Sequence, residues 1–255
     1  MNAEIDGWIL DASVSPCASL TQGDLISFEE EEDPLRKNGI VVTADCDLEK
    51  GKHAKLVTLI PVVSVKTLLE NYLFLEDCEK KRDAIEQFAF KQFDVEKSSE
   101  VEARRAMLRD KLIVCDIPAN DPKVIAAKVA LDELSYISVI EYKDLMGAIN
   151  NNVKKAKDLG VQIASRGDVL NLPCTKALGI AGNIAWVRHV WQVPLNSIAL
   201  RTSETSSKHG EKIARLDSPF RYRLTQIMAQ VFSDIGLPDI PNTLEESVQE
   251  AYQNV

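Results

Sequence analysis

Three short constellations in this chain carry side chains able to do chemistry. The first is Asp45-Cys46-Asp47, two carboxylates flanking a thiol, with His53 six residues beyond Asp47. A closed zinc site takes four ligands, mostly sulfur and nitrogen, and this segment offers one Cys and one His. A nucleophilic thiol needs a positive field to lower its pKa, and both neighbours of Cys46 are acids. The segment therefore reads as a structural corner. Asp45 or Asp47 is expected to cap a turn through backbone N–H groups, with Cys46 and Leu48 packed inward. No metal and no cofactor is expected.

The second constellation is Trp186-Val187-Arg188-His189-Val190-Trp191. Strand alternation would put Trp186, Arg188 and Val190 on one face and Val187, His189 and Trp191 on the other. Arg188 beside Trp186 is then placed to stack and to grip a carboxylate or phosphate. Equally, Arg188 can pair with an acid of the fold itself. The third is Arg215, Arg221 and Arg223. Arg221 and Arg223 open the last helix, where a cation opposes the macrodipole. A tertiary ion pair or a contact with a partner is expected of them, and Arg221 joins Trp186 and Arg188 as a binding candidate. The sequence has no phosphate-binding glycine loop, no dinucleotide fingerprint and no zinc spacing.

The elements that must hold these residues follow from periodicity and punctuation. Strands are predicted around Leu25-Ile26-Phe28, Ile40-Val41-Val42 and Leu56 to Val63. Gly23-Asp24, Asp33-Pro34 and Asn38-Gly39 provide the turns, and the acids from Glu29 to Asp33 a solvated loop tip. From Val65 to Lys111 Gly and Pro disappear and apolar residues recur at three and four, which predicts two or three amphipathic helices with a break at 97–99. A short strand is predicted over Leu112 to Asp116. Helices follow over Pro122 to Leu134 and Tyr142 to Leu159, the latter stopped by Gly160. Gly167-Asp168 then repeats the opening turn, leading into a strand. Further strands are predicted at Asn183 to Val187, Trp191 to Pro194 and Ile198 to Arg201. A last helix starts at Ser218-Pro219 and ends at Gly236.

These elements predict an α+β fold with small open β-barrel modules, a helical insertion and a C-terminal amphipathic helix. The divisions are 1–64 for the first β part, 65–160 for the helices, 161–240 for the second β module with its helix, and 241–255 for a tail. At 255 residues the chain can bury a full core without disulfides or metals. Its net charge of −9 argues against nonspecific binding to nucleic acid. Five scattered cysteines without a C-x-x-C pair fit reduced thiols in the cytoplasm. No run reaches the roughly 20 apolar residues of a membrane span.

The order GDLISF, Arg36, IVVTADCDL, LVTLIPVVS over residues 20–65 resembles the MazF/PemK toxin barrel. That resemblance implies an open barrel of the Src-homology-3 type, with Arg36 and Ser64 near the family's catalytic Arg and Thr/Ser positions. The chain departs from the family in its acidic loop, its length and the helical stretch after Ser64. A wider set of motifs is similar to an uncharacterised bacterial family. It comprises C-D-L near 46, G-D-x-x-x-L-P at 167–173, W-V-R, V-P-L, A-R-L-x-S-P-F-R and G-L-P. That resemblance implies a multi-gene bacterial system, with anti-phage defence as a candidate setting.

Taken together, the expectation is a non-enzymatic interaction or regulatory subunit whose partner is another protein encoded nearby. Nucleic acid enters only through the alternative of a MazF-like endoribonuclease using Arg36 and Ser64. A third alternative is a module that binds an anion through Arg188 or Arg221. Self-association is left open.

Overall fold

The computed structural model describes residues 6–10, 19–52, 55–96 and 100–233. His53, Cys17, the predicted break at 97–99, Gly236 and the acidic tail lie outside these residues.

Three of the first four strands follow the predicted runs, and a short strand at Trp8–Leu10 precedes them where none was predicted. β1 (Trp8–Leu10), β2 (Asp24–Ser27), β3 (Asn38–Val41) and β4 (Leu56–Val63) are set by apolar residues between tight turns. After the helices come β5 (Val169–Asn171), β6 (Ile184–Trp186), β7 (Trp191–Pro194), β8 (Ile198–Ala199) and β9 (Gly210–Leu216). All belong to one sheet, in the order β1-β9-β2-β3-β4-β6-β5. The two β stretches predicted as separate modules thus interleave, because β9 inserts between β1 and β2. Pairing is antiparallel except between β8 and β9.

The sheet is curled into an open half-barrel. The segment 191–199 accounts for part of that curl. As β7 it pairs with β4, and as β8 it pairs with β9, so one short corner bridges the outer strands of the β9-β2-β3-β4 meander. Trp191 of β7 reaches across β4 to lie on Gly39, where a Cβ would stand 2.5 Å from its ring. Any larger residue at 39 would push the tryptophan out. One apolar cluster, with Leu25, Ile40, Ile60, Ala185 and Leu216, lines one side of the sheet. It receives the buried face of α9 (Ser218–Ser233), namely Leu224, Ile227 and Val231. A second cluster, with Ile26, Val41, Leu59 and Ile198, forms on the other side.

Most of the helices lie between β4 and β5. α1 (Asp45–Glu49) is a single turn on the β3–β4 connection. Past β4, α2 (Val65–Leu68), a π turn over Leu69–Leu73 and α3 (Phe74–Lys80) make one rod. α4 (Arg82–Gln92), α5 (Val101–Val114), α6 (Pro122–Ala130), α7 (Val139–Ala148) and α8 (Ala156–Ala164) follow. Their own core gathers Phe74, Ile85, Ile125, Tyr142 and Met146. A seam of Val63, Leu68, Leu73, Ile184 and Trp186 joins the rod to the sheet.

Four predicted elements differ from the structure. Leu112 to Val114 is the last turn of α5, not a strand, and Ile113 and Val114 are exposed there. The helix predicted over Tyr142 to Leu159 is two helices, and Gly160 lies inside α8. Asn150 causes the interruption. It takes a left-handed conformation (φ 52°), and the next amide, Asn151 N–H, donates back to Met146 C=O at 2.9 Å. This satisfies the orphan carbonyls of the α7 terminus without a glycine. α6 ends the same way at Asp132 (φ 59°), before the predicted Leu134, with Glu133 N–H on Lys128 C=O. The start of α9 also shifts in detail, since the Asp217 carboxylate accepts the Ser218 N–H at 2.6 Å.

Among the described residues, four carboxylates are buried: Asp24, Glu70, Asp77 and Asp168. A buried charge is costly unless paired and hydrogen-bonded, and each has distant partners. Asp24 receives Arg215 Nε at 2.6 Å and Thr21 N–H at 2.8 Å, with Lys212 Nζ at 3.8 Å. Glu70 accepts from Lys66, the Tyr136 hydroxyl and Val139 N–H, fixing the α6–α7 connection to the rod. Asp77 accepts from Lys81 at 2.6 Å and Tyr142 at 2.7 Å, with Lys154 at 2.9 Å. Burial pushes the Asp77 carboxyl up, but these hydrogen bonds outweigh burial and hold it below its ordinary value.

Removing one member of a buried pair leaves the other charged and unpaired, at a cost of about 3–5 kcal/mol. Asp24→Asn is therefore expected to lower the unfolding free energy by about that amount in urea titrations. A loss below about 1 kcal/mol would show that Arg215 and Lys212 are hydrated well enough to need no counter-charge.

Candidate functional site

The residues predicted to act separate into distinct places. Asp45, Cys46 and Asp47 form the exposed turn of α1. Asp45 accepts the Gln22 N–H at 2.6 Å, which ties α1 to the start of β2, while α1 itself has no side-chain cap, so neither Asp45 nor Asp47 caps this turn as expected. Cys46 points outward, against expectation, with its Sγ 3.7 Å from Asp47 Oδ1. The corner is a short helix, and only Leu48 of that pair leans on the core.

Arg221 lies near the start of β2. Its aliphatic stem covers Gly23, whose φ of +91° requires glycine and whose hypothetical Cβ would meet Arg221 Cδ at 3.0 Å. The guanidinium sits 5.7 Å from the Tyr222 ring. Two strands, β3 and β4, separate this place from β6, which carries Trp186, so Arg221 and Arg188 do not converge. Arg223 donates to Gln226 on its own helix, and Arg215 is the clamp on Asp24.

Arg36 and Ser64 fall at one end of the β3–β4 pair. Arg36 lies in the turn just before β3 and Ser64 directly follows β4, at the same end of this antiparallel pair. Both groups already have partners. Ser64 caps α2, its Oγ accepting Thr67 N–H at 3.0 Å and sharing a 2.9 Å hydrogen bond with Thr67 Oγ1. Arg36 lies 3.7 Å from Asp33, both half exposed.

A further polar site surrounds Trp186 and Arg188. β6 and β7 run along the same edge of β4 but in different registers. β6 matches Val62 with Ala185, so the next pair would set Pro61 opposite Trp186. β7 matches Leu59 with Trp191, so the pair before it would set Ile60 opposite Val190. Adjacent β4 residues thus face residues 186 and 190, and Val187, Arg188 and His189 are extra. These three loop out as a wide bulge, a device that re-aims side chains at sheet edges. The predicted alternation of W-V-R-H-V-W therefore fails. Val187 is buried in the sheet core, Arg188 projects with 58% of its side chain exposed, and His189 folds back onto Trp186.

The bulge is anchored from below by the second Gly-Asp turn. The backbone carbonyl of Asp168 accepts Val187 N–H at 2.9 Å. The Asp168 carboxylate, 3% exposed as a residue, takes a two-pronged bond from Arg166, Nε at 2.8 Å and Nη2 at 2.7 Å. Arg188 Nε approaches the same carboxylate at 3.1 Å. Of the two alternatives for Arg188, an acid of its own fold holds it. The fork geometry suits arginine and would not be reproduced by lysine.

Above this pair runs a ladder of planar groups. Arg166 lies 4.8 Å from the Tyr72 ring, Tyr72 is 4.9 Å from Trp186, and Trp186 is stacked at 5.3 Å on His189. Tyr72 comes from the π turn, Arg166 from just past α8 and Trp186 from the end of β6, so the ladder stitches helices to sheet. The indole Nε1 of Trp186 is buried and has no hydrogen-bond partner. Asp33 and Arg36 both act electrostatically on His189, which brings the β2–β3 loop to the same site. Arg166, Tyr72 and Asp168 were missed as site residues. The available signal was the R-x-D spacing of Arg166-Gly167-Asp168, which was read as a turn alone.

Among the described residues no helix is long and apolar enough to cross a membrane. In comparisons with known proteins, no family model, no curated protein and no solved structure matches this chain.

Burial pulls the His189 imidazolium below its ordinary pKa of 6.5; Asp33 opposes this and Arg36 adds to it. A neutral imidazole favoured by folding stabilises fully above about pH 6.5, and that contribution fades as pH falls through the lower folded value. The stability difference between wild type and His189→Gln is thus expected to shrink between pH 7.5 and pH 5. A difference that stays constant or grows on acidification, in paired denaturant titrations, would contradict the stacked neutral ring.

Proposed function

We propose that this protein is a non-catalytic interaction subunit of a bacterial multi-gene system and that the bulge at Val187 to His189 is its point of contact with a partner protein. The observation that carries this reading is the way Arg188 is displayed. Its guanidinium is oriented by a buried carboxylate, yet more than half of the side chain faces solvent. Arg166 shares the neutralisation of Asp168, so Arg188 keeps donors for an incoming carboxylate. His189 and the exposed Val190 flank it with apolar and aromatic surface, the mixture found at the centre of protein interfaces. Holding such a group rigid before binding lowers the ordering cost of association. The bacterial setting, with anti-phage defence as a candidate, and placement in the cytoplasm rest on sequence resemblance and composition.

The finer fold reading belongs to the same proposal. The β2-β3-β4 meander drawn round by β7 and β8 supports an open barrel of the Src-homology-3 type, and the helices between β4 and β5 support a helical insertion. On this reading the insertion supplies Tyr72 and the support for Arg166, so it shapes the contact site.

The proposal is tested by expressing the chain from its native gene neighbourhood with a photo-crosslinking residue at Val190. A covalent adduct with the product of an adjacent gene is expected, and Arg188→Ala should remove most of it while Arg166 keeps Asp168 paired and the fold intact. A wild-type chain recovered alone would overturn the interaction reading. Equal crosslinking by Arg188→Ala would show that Arg188 does not carry the contact.

One observation favours a second reading, a MazF-like endoribonuclease. Arg36, just before β3, and Ser64, just after β4, flank the same end of that antiparallel pair, which supports this reading. Catalysis there would require Ser64 to leave its capping bond and Arg36 to leave Asp33. Incubation with total RNA at low salt decides it. Cleavage by wild type that falls at least tenfold in both Arg36→Ala and Ser64→Ala would establish the nuclease; no cleavage, or equal cleavage by the variants, would remove it.

A further inference from the structure

The corner between β7 and β8 encloses a groove of about 610 Å³ that is separate from the bulge. Its size is that of a small-ligand site. The walls are Leu56 at the start of β4, then Pro194, Leu195, Ile198 and Leu200 along the corner. All of these are aliphatic, and no aromatic ring lines the groove among the described residues, so it offers contact to a saturated chain rather than a stacking platform for a ring. Leu56 keeps 39% of its surface exposed, which is unusual for the first residue of a central strand.

Three charged residues line the same groove: Lys55, Lys208 and Glu204. The carboxylate of Glu204 is used within the fold, accepting the Leu200 N–H at 3.0 Å. The Lys208 ammonium gives one hydrogen bond to the Asn196 carbonyl at 2.5 Å and has two N–H groups left. Lys55 sits where the backbone turns left-handed (φ 62°), and its carbonyl accepts the Leu195 N–H, which fixes its Cα at the groove. In a chain of net charge −9, two ammonium groups beside one engaged carboxylate make this a locally cationic mouth on an aliphatic wall.

We infer that this groove binds a single aliphatic carboxylate, its hydrocarbon chain against Leu56, Leu195, Ile198 and Leu200 and its headgroup at Lys55 and Lys208. Burial of the chain supplies affinity in proportion to the apolar area removed from water. The lysines select the anion over a neutral amphiphile of equal length.

Octanoate, used as a monomer well below its aggregation range, is the probe, followed by amide chemical shifts of the full chain. Saturable shifts confined to Lys55, Leu56, Asn196 and Leu200 and their neighbours are expected. 1-Octanol should bind about tenfold more weakly, and the Lys55→Ala/Lys208→Ala variant should lose a similar factor for octanoate only. Leu56→Gln, at a half-exposed position, should weaken both ligands. Absence of saturable shifts, shifts centred elsewhere, or 1-octanol binding as tightly as octanoate would each overturn the inference.

Discussion

The fold depends on carboxylates placed where water cannot reach them. Asp24 and Asp168 each follow a glycine at the entrance to a strand, each is almost completely buried, and each is gripped by an arginine. Desolvation makes such groups expensive, and a buried pair gives little net stability against an apolar replacement. Their effect here is on arrangement. Asp24 can be neutralised only when β9 lies beside β2, because Arg215 and Lys212 are both on β9. Asp168 is satisfied by Arg166 with Arg188 close by, which draws the bulge down onto the end of β5. Glu70 and Asp77 act likewise among the helices, calling in partners from the α6–α7 connection, from α7 and from the residues before α8. Alternative packings would strand a charge, which is how polar interiors restrict a chain to one arrangement.

This logic explains why the most exposed arginine of the site is also among the best oriented. The bulge moves Arg188 out of the strand, and the buried acid limits where it can point. The Arg166–Tyr72–Trp186–His189 ladder fills the space between rod and sheet with flat groups that tolerate a polar neighbour. The groove at the β7–β8 corner arises from a different cause: the same corner that curls the sheet leaves Leu56 uncovered.

Strands with apolar alternation were legible from the sequence, as were the rod and α9, because period and punctuation agreed. β9 was not. Its inward positions are Gly210, Lys212, Ala214 and Leu216, and a buried lysine beside small residues gives no hydrophobic pattern. A one-residue irregularity opposite Leu25 and Ile26 disturbs the period further. Two helices end earlier than their periodicity suggests because Asp132 and Asn150 take the left-handed cap, a position more often held by glycine. The run Leu112-Ile113-Val114 has strand-like composition, yet its branched residues finish a helix in solvent. Trp186 and Arg188 were identified by residue type, but their geometry was not legible. The bulge exists only as a mismatch between two registers on β4, and no local signal reports it. The capping role of Ser64 needed only the S-V-K-T spacing that opens α2.

The central claim is that buried Asp168 holds the bulge in its displayed form. Hydrogen exchange of Asp168→Asn, resolved at single amides and compared with wild type, tests it most directly. The account predicts that Val187 N–H and the amides of β5 and β6 lose protection by at least tenfold, while those of β2, β3 and β9, held by Asp24, keep theirs. Unchanged protection at Val187 would contradict it, and so would a uniform loss across the whole sheet.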